Sequence, residues 1–345
     1  MPKTYFRPLG LCYGSDAGQL IAQHRAGRLG GSATIGFTLV ERIIRDGKAI
    51  SREIIPYTDV LQFIEAPRAD IAGVAMDATK IMGIVNVTPD SFSDGGQHDT
   101  AESGSRHGLE LAAEGAHILD VGGESTRPGS DTVSIDEELS RVIPAVKSLA
   151  AAGHVVSIDT RKSVVMREAV KAGASIVNDV SALQHDPESL RTIPELKVPV
   201  VLMHAQGDPR TMQLNPQYDD VALDVYDQLE GRVSACVDAG IPRSHIAVDP
   251  GIGFGKTFRH NLEILNQITL FHGLGVVVLL GLSRKGFVGA LTGEKVAGKR
   301  VHGSAGGAVQ AALNGVHILR VHDVKATVEA LAVSQAATNP RSIEF

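Results

Sequence analysis

No tryptophan occurs in the chain, and cysteine occurs only twice, as Cys12 and Cys236. Two thiols so far apart exclude a disulfide framework and the paired-cysteine spacing of a zinc site. They lead us to expect reduced thiols in a cytoplasmic protein. No apolar run approaches the roughly 20 residues that a bilayer-spanning helix needs, and the first eight residues lack a secretory apolar core; no membrane partner is expected. Neither sign of charge dominates. Thirty-nine acidic against 33 basic residues leave a net charge of −6, which argues against a nucleic-acid partner. An anionic ligand would have to be held by a local cluster.

What is present is apolar and glycine-rich. Apolar residues make up 43% and charged residues 21% of 345 positions, enough for a large core and against wholesale disorder. From residue 80 onward, short β-rich runs alternate with longer segments of helical period, the mark of successive βα units. Candidate strands are 81–85, 116–121, 155–158, 175–177, 200–203, 246–248, 276–280 and 318–321. Candidate helices lie near 100–114, 135–152, 162–172, 186–195, 218–239, 257–270, 287–313 (interrupted) and 323–336. Eight such units in residues 80–345 have the size of a TIM (β/α)8 barrel, with a doubly wound open sheet as the competitor. Residues 1–79 read differently: a possible strand at 33–40, a charged patch at 41–48, Ile54-Ile55 before Pro56, and short elements at 62–64 and 72–75. They suggest a small α+β N-terminal extension whose role is not legible.

The ends of the candidate strands favour the barrel. Asn86, Asp120 with Glu124, Asp159, Asn178 with Asp179, His204, Asp249, Ser283-Arg284-Lys285, and Arg320 with His322 follow the eight runs in turn. In a closed parallel barrel these termini share one rim and can surround one ligand. In an open sheet they would form a line too long for a small molecule.

Several stretches carry chemistry. Residues 86–96, Asn-Val-Thr-Pro-Asp-Ser-Phe-Ser-Asp-Gly-Gly, turn abruptly polar after an apolar strand. They offer N–H groups and hydroxyls to an anion, and amide or carboxylate oxygens to a hard metal; composition alone would equally allow a surface turn. Residues 120–129, Asp-Val-Gly-Gly-Glu-Ser-Thr-Arg-Pro-Gly, supply a hydroxyl at Thr126 and a cationic fork at Arg127, while Asp120 and Glu124 could instead be structural. Asp159, Asn178 and Asp249 would place two carboxylates and an amide in one pocket, a set suited to a heterocycle with amidine-like N–H donors beside a carbonyl, such as a 2-amino-4-oxopteridine. Each alone could be a helix cap. Gly251-Ile-Gly-Phe-Gly-Lys256-Thr257 fails as a phosphate-binding P-loop, because Pro250 stands where the first glycine is required. Lys285, Arg320 and His322 would lie beside the first strand by closure, where barrels often bind phosphate.

In order, these segments resemble the successive motifs of the dihydropteroate synthases, the folate-pathway enzymes that sulfonamides inhibit, over residues 80–336. The resemblance implies condensation of 6-hydroxymethyl-7,8-dihydropterin pyrophosphate with p-aminobenzoate to 7,8-dihydropteroate and pyrophosphate. It implies that Asp159, Asn178, Asp249 and Lys285 hold the pterin, with Phe254 bordering it and Arg320 packing on the ring. Asn86, Arg320 and His322 would bind pyrophosphate, and Asn86 would also reach Mg²⁺. Thr126, Arg127 and Pro128, with Ser283 and Lys285, would line the p-aminobenzoate site. Catalysis would rest on Asp159, Lys285, Arg320 and His322, and a homodimer is the family expectation. Gly286 departs from the pattern, since many members carry a side chain there that meets the aminobenzoate carboxylate. Two other functions are weighed: a methyltetrahydrofolate-dependent methyltransferase, which would not need the anion loop at 86–96, and a non-catalytic pterin-binding paralogue, at odds with intact candidates at every rim position.

Overall fold

The computed structural model describes residues 2–57, 61–88, 97–125, 132–207 and 211–340. Eight parallel strands close into a barrel: β5 (Lys80–Asn86), β6 (Ile118–Gly122), β7 (Val156–Asp159), β8 (Ile176–Asp179), β9 (Val200–Met203), β10 (Ile246–Asp249), β11 (Val277–Leu280) and β12 (Ile318–Val321). The helices between them are α3 (Gln97–Ala113), α4 (Ile135–Ala151), α5 (Ser163–Ala172), α6 (Ser189–Leu196), α7 (Val221–Asp238), α8 (Phe258–Asn266), and the pair α9 (Gly286–Thr292) and α10 (Val301–Leu313); α11 (Val324–Thr338) follows the last strand. The TIM barrel expected from the periodicity is the fold. None of the described helices is long and apolar enough to cross a membrane.

Local chemistry sets the helix starts. Asp220 caps α7 by accepting from the N–H groups of Ala222 and Leu223, both at 3.1 Å. Thr257 and His260 form a reciprocal capping box on α8, and Ser134 caps α4 ahead of three acidic residues that favour the positive end of the helix.

The barrel interior divides into two zones. Met82 lies opposite Ile118 and Val201 opposite Ala247, while Gly122 lies opposite Asp159 and Asp159 opposite Asn178. Because strand side chains alternate, these residues share the inner face. The lower zone is a closed apolar cluster of Met82, Ile118, Ile176, Val201, Val277 and Ile318, plugged by Ile71 and Met76 from the segment before β5. The upper zone is polar.

The first residues form an antiparallel sheet centred on β3 (Ile35–Asp46), flanked by β1 (Lys3–Tyr13) on one side and by β2 (Gly27–Arg28) and β4 (Ala49–Pro56) on the other; α1 (Gly14–Ala22) and α2 (Gln62–Glu65) accompany it. The strand expected at 33–40 continues through the charged patch. Glu41 and Arg45 there pair with residues outside their strand, Glu41 with Arg7 and Arg52 and Arg45 with Asp224. The segment at 72–75 forms no named element, only an isolated bridge between Ile71 and Val74.

This sheet is fastened to the barrel by apolar and ionic contacts. Tyr5 and Ile43 belong to the same buried cluster as the shell of the barrel. Lys3 pairs with Asp227 and Glu230 of α7, each at 2.5 Å, and Arg52 with Asp220 at 2.7 Å. His317, just before β12, meets the carbonyl of Gly30 at 3.2 Å. Gly30 has φ +60°, and a Cβ there would lie 2.8 Å from the His317 Nε2, so both backbone sign and space require glycine. Ile43→Ala is expected to cost about 2–4 kcal/mol, as for other buried aliphatic truncations. Urea unfolding followed by circular dichroism checks it, and a loss below 1 kcal/mol (about the level of a surface change) would mean that Ile43 is not part of one core.

Candidate active site

The upper zone gathers residues from six of the eight strands or the loops that follow them. Arg320 of β12 reaches across the barrel, its Nε donating to Asp120 Oδ2 and its Nη2 to Asp159 Oδ2, both at 2.6 Å. Asn178 donates to the same Asp120 oxygen at 3.1 Å. The other Asp120 oxygen, Oδ1, is buried with no partner among the described residues. Asp249 accepts from the Gly251 N–H at 2.7 Å. Lys285, at the end of the β11 loop, donates to the Ile252 carbonyl and lies 4.4 Å from the centre of the Phe254 ring, a cation–π distance.

Burial and charge tune this group. Burial pushes the Asp159 carboxyl up to about 7; Arg320 opposes the shift and Asp120 adds to it. Burial also raises Asp249, against the pull of Lys285 and Arg320. It pushes the Lys285 ammonium down to about 8, with Asp249 resisting. Arg320 is held firmly in its charged form: burial works against it, but Asp120 and Asp159 outweigh burial. Asp120, Asp159 and Asp249 thus face two cations, Arg320 and Lys285. Around Arg320 two carboxylates meet one guanidinium, whereas on the Asp249 side Lys285 and Lys256 both oppose the shift that burial causes. Groups shifted by burial and by named partners in one cleft are where function concentrates.

The structure brings Asp159, Asn178, Asp249, Phe254, Lys285 and Arg320 together through these contacts. The Arg320 guanidinium is turned inward onto two carboxylates. Ser283, buried, lies 3.1 Å from His322 Nδ1 and accepts from the His322 N–H at 3.2 Å, which joins the seventh and eighth strand ends. Asn86 ends β5, opposite Gly122 of β6. Residues 89–96 of the first loop, and Thr126, Arg127 and Pro128 of the second, lie outside the described residues. Gly286 begins α9, and a Cβ there would approach Phe258 at 3.3 Å, so a larger residue requires that ring to give way.

Two features were not readable in advance. Asp120 stood between structural and binding roles; it clamps Arg320, and its second oxygen is buried with no partner among the described residues. Glu124 is structural. Its carboxylate binds Arg161 at 3.1 and 3.2 Å and the Val133 N–H at 3.1 Å, with Lys162 at 3.3 Å. A buried glutamate four positions after Asp120 was the available signal, but its charged partners, Arg161 and Lys162, lie on the loop after β7.

The donor set suits an anionic heterocycle-bearing substrate. Carboxylates, an amide, an ammonium and a guanidinium all come together in the upper zone. A hard divalent cation such as Mg²⁺ keeps most of its waters and substrate oxygens and needs few protein ligands. The amide oxygen of Asn86 fits that modest demand. Among the described residues no cluster of three His, Cys, Asp or Glu could hold a metal by itself.

The comparisons agree with this chemistry. The family profile described as pterin binding enzyme matches residues 82–322. Dihydropteroate synthase of Escherichia coli K12 is 45% identical over 272 residues, 78% of this chain and 96% of that protein. The structure of Xanthomonas albilineans dihydropteroate synthase with 4-aminobenzoic acid superposes with a TM-score of 0.75 at 48% identity, over 81% of this chain and all of that one. The same enzyme in complex with 7,8-dihydropteroate gives a TM-score of 0.72 at 46% identity, with the same coverage.

Replacing Asp249 by Asn removes the charge that supports the Lys285 ammonium, so the Lys285 titration is expected to fall further below pH 8. Lysine-labelled NMR titration of the two proteins checks this, and an unchanged or raised midpoint would break the Asp249–Lys285 coupling.

Proposed function

The chain belongs to the dihydropteroate synthases of the pterin-binding enzyme family, and from that premise we propose how its barrel mouth performs the reaction. The enzyme is a transferase of folate biosynthesis. It joins 6-hydroxymethyl-7,8-dihydropterin pyrophosphate to p-aminobenzoate, giving 7,8-dihydropteroate and pyrophosphate. The observation that carries the residue assignment is the buried excess of carboxylate over cation around Arg320.

In this reading the pterin enters the upper zone edge-on. Asp159, Asn178 and Asp249 take its N–H groups, Lys285 donates to its carbonyl, and Phe254 and Arg320 border the ring. The bond between the methylene carbon and the pyrophosphate oxygen breaks first, and its electron pair leaves with the oxygen. The electron-rich dihydropterin spreads the resulting positive charge. The two carboxylates held around the single Arg320 guanidinium favour such a cation, and they cost no reorganisation at the moment of ionisation. Burial raises the Asp159 carboxyl to about 7, so near neutrality it carries a proton part of the time; an arriving cation favours its carboxylate form. The arylamine lone pair then forms the C–N bond, and the nitrogen sheds its proton. The amine is nucleophilic as it stands, so no activated serine or cysteine is required.

Asn86, Arg320 and His322 would meet the pyrophosphate. Asn86 would give an oxygen to Mg²⁺, which when bound neutralises charge on the leaving group. Thr126, Arg127 and Pro128, with Ser283 and Lys285, would receive p-aminobenzoate, its carboxylate facing the backbone at Gly286. A homodimer completes the reading, with sedimentation velocity as its check. Cys12 and Cys236 are both free thiols, in keeping with a reducing compartment.

Asp159→Asn is expected to lower kcat on the order of 100-fold, the scale of losing one preorganised electrostatic group, with a much smaller change in pterin affinity. Steady-state kinetics beside calorimetry of pterin binding measure both, and equal losses would remove the cation-stabilising role. EDTA is expected to abolish product formation from labelled p-aminobenzoate, and added Mg²⁺ to restore it. Undiminished turnover in EDTA would take the metal out of the reaction.

A further inference from the structure

The loop joining β10 to α8 buries a lysine that the reaction does not use. Lys256 is only 1% exposed. Its Nζ lies 2.8 Å from His204 Nδ1, and it donates to the carbonyls of Gly251 and Phe254, both at 3.0 Å. Its Nζ also lies 3.4 Å from the His204 carbonyl oxygen, so polar atoms enclose the amino group, and burial pushes its pKa well down. A hydrogen bond joins that amino group to His204 Nδ1. Burial, and Lys256 after it, keep the ring neutral, its pKa down to about 3.

The backbone around this amino group is one that few residues can follow. Gly251, Gly253 and Gly255 have φ of +69°, +84° and +62°. A Cβ on Gly251 would meet the His204 carbonyl oxygen at 1.9 Å, and one on Gly255 the Gln206 carbonyl oxygen at 2.3 Å. The turn is therefore pressed onto residues 204–206, with two of its carbonyls aimed inward at Lys256. A methionine would fill the same volume but leave both carbonyls and His204 Nδ1 without that partner, which is costly in a buried place.

The other side of the same turn faces the barrel mouth. Its Ile252 carbonyl accepts from Lys285, its Phe254 ring lies under the Lys285 ammonium, and its Gly251 N–H holds Asp249. A Cβ on Gly253 would touch Lys285 Cδ at 3.0 Å. One short turn thus binds Lys256 on its inner side and sets two pocket groups on its outer side.

We propose that Lys256, with His204 as its hydrogen-bond partner, is a positioning residue for pterin recognition, fixing the 251–254 turn so that Lys285 and Asp249 stand where the heterocycle needs them. The proposal rests on the pterin reading given above. It assigns Lys256 no contact with substrate.

The test compares Lys256→Met, His204→Ala and His204→Asn with the unaltered enzyme, by steady-state kinetics, a pH profile and calorimetry of pterin binding. In Lys256→Met the KM and Kd for the pterin substrate are expected to rise about tenfold, the scale of one unmade buried hydrogen bond, with kcat and the KM for p-aminobenzoate changing much less. The alkaline limb of kcat/KM, set by Lys285, should move at the same time. His204→Ala should show the same split, and His204→Asn, whose side-chain amide can hydrogen-bond where Nδ1 did, should recover it. Equal falls in every parameter with an unmoved pH limb, or His204→Asn as impaired as His204→Ala, would mean simple packing and overturn the proposal. If Lys256→Met does not fold, the two His204 variants decide. An unaltered enzyme that binds pterin without making product would defeat the reaction assignment alone, and the Kd values would still judge the positioning role.

Discussion

Charge taken out of water at the mouth of the barrel has to be balanced inside the barrel, and that constraint governs the site. A guanidinium on the last strand cannot be buried alone; it is held by carboxylates from the second and third strands. Those carboxylates in turn need donors, and Asn178 gives one to Asp120. On the adjoining side the Asp249 charge resists the downward push of burial on Lys285. Around Arg320 carboxylates outnumber the cation, which leaves that side of the pocket negative. A pocket so built is poor at holding a neutral apolar molecule and well suited to a substrate that becomes cationic as it reacts.

Such a cluster can exist only because the lower half of the barrel is dry and closed. Met82, Ile118, Ile176 and Val201 fill the interior beneath the charged layer, and Ile71 and Met76 seal it from below. The N-terminal sheet adds to this support at the flank and floor, through Ile43 and Tyr5 in the shared core and the ion pairs to α7. Its attachments before β11 and β12, at His272 and His317, lie at the opposite ends of strands whose far ends carry Lys285 and Arg320. Stability and chemistry are thereby separated along each strand.

Most of the barrel was readable because its signals are local. The runs 200–203 and 318–321 are bounded by Pro199 and His204 and by His317 and His322, and they coincide with β9 and β12. The first strand was not readable, since Pro8 and Gly10 punctuate it; proline is tolerated there because β1 pairs only with β3 and stands at the sheet edge. The stretch from Glu41 was legible only as a charged patch; the partners of Glu41 and Arg45, namely Arg7, Arg52 and Asp224, are ones that only the fold supplies. At the site, residue types at strand ends were legible, but their pairing was not. Arg320 and Asp120 are 200 positions apart, and Arg320 and Asp159 are 161 apart; no local pattern encodes which carboxylate an arginine will find.

Glu124 illustrates a different economy. Its two oxygens hold Arg161 from the next unit and the Val133 N–H from the far end of its own loop. The stretch between Glu124 and Val133 is thus bracketed by a single side chain, as a handle is riveted at both ends to one plate. Removing that one carboxylate would release both points together, so a single substitution at position 124 would loosen the loop after β6 and the loop after β7 at the same time.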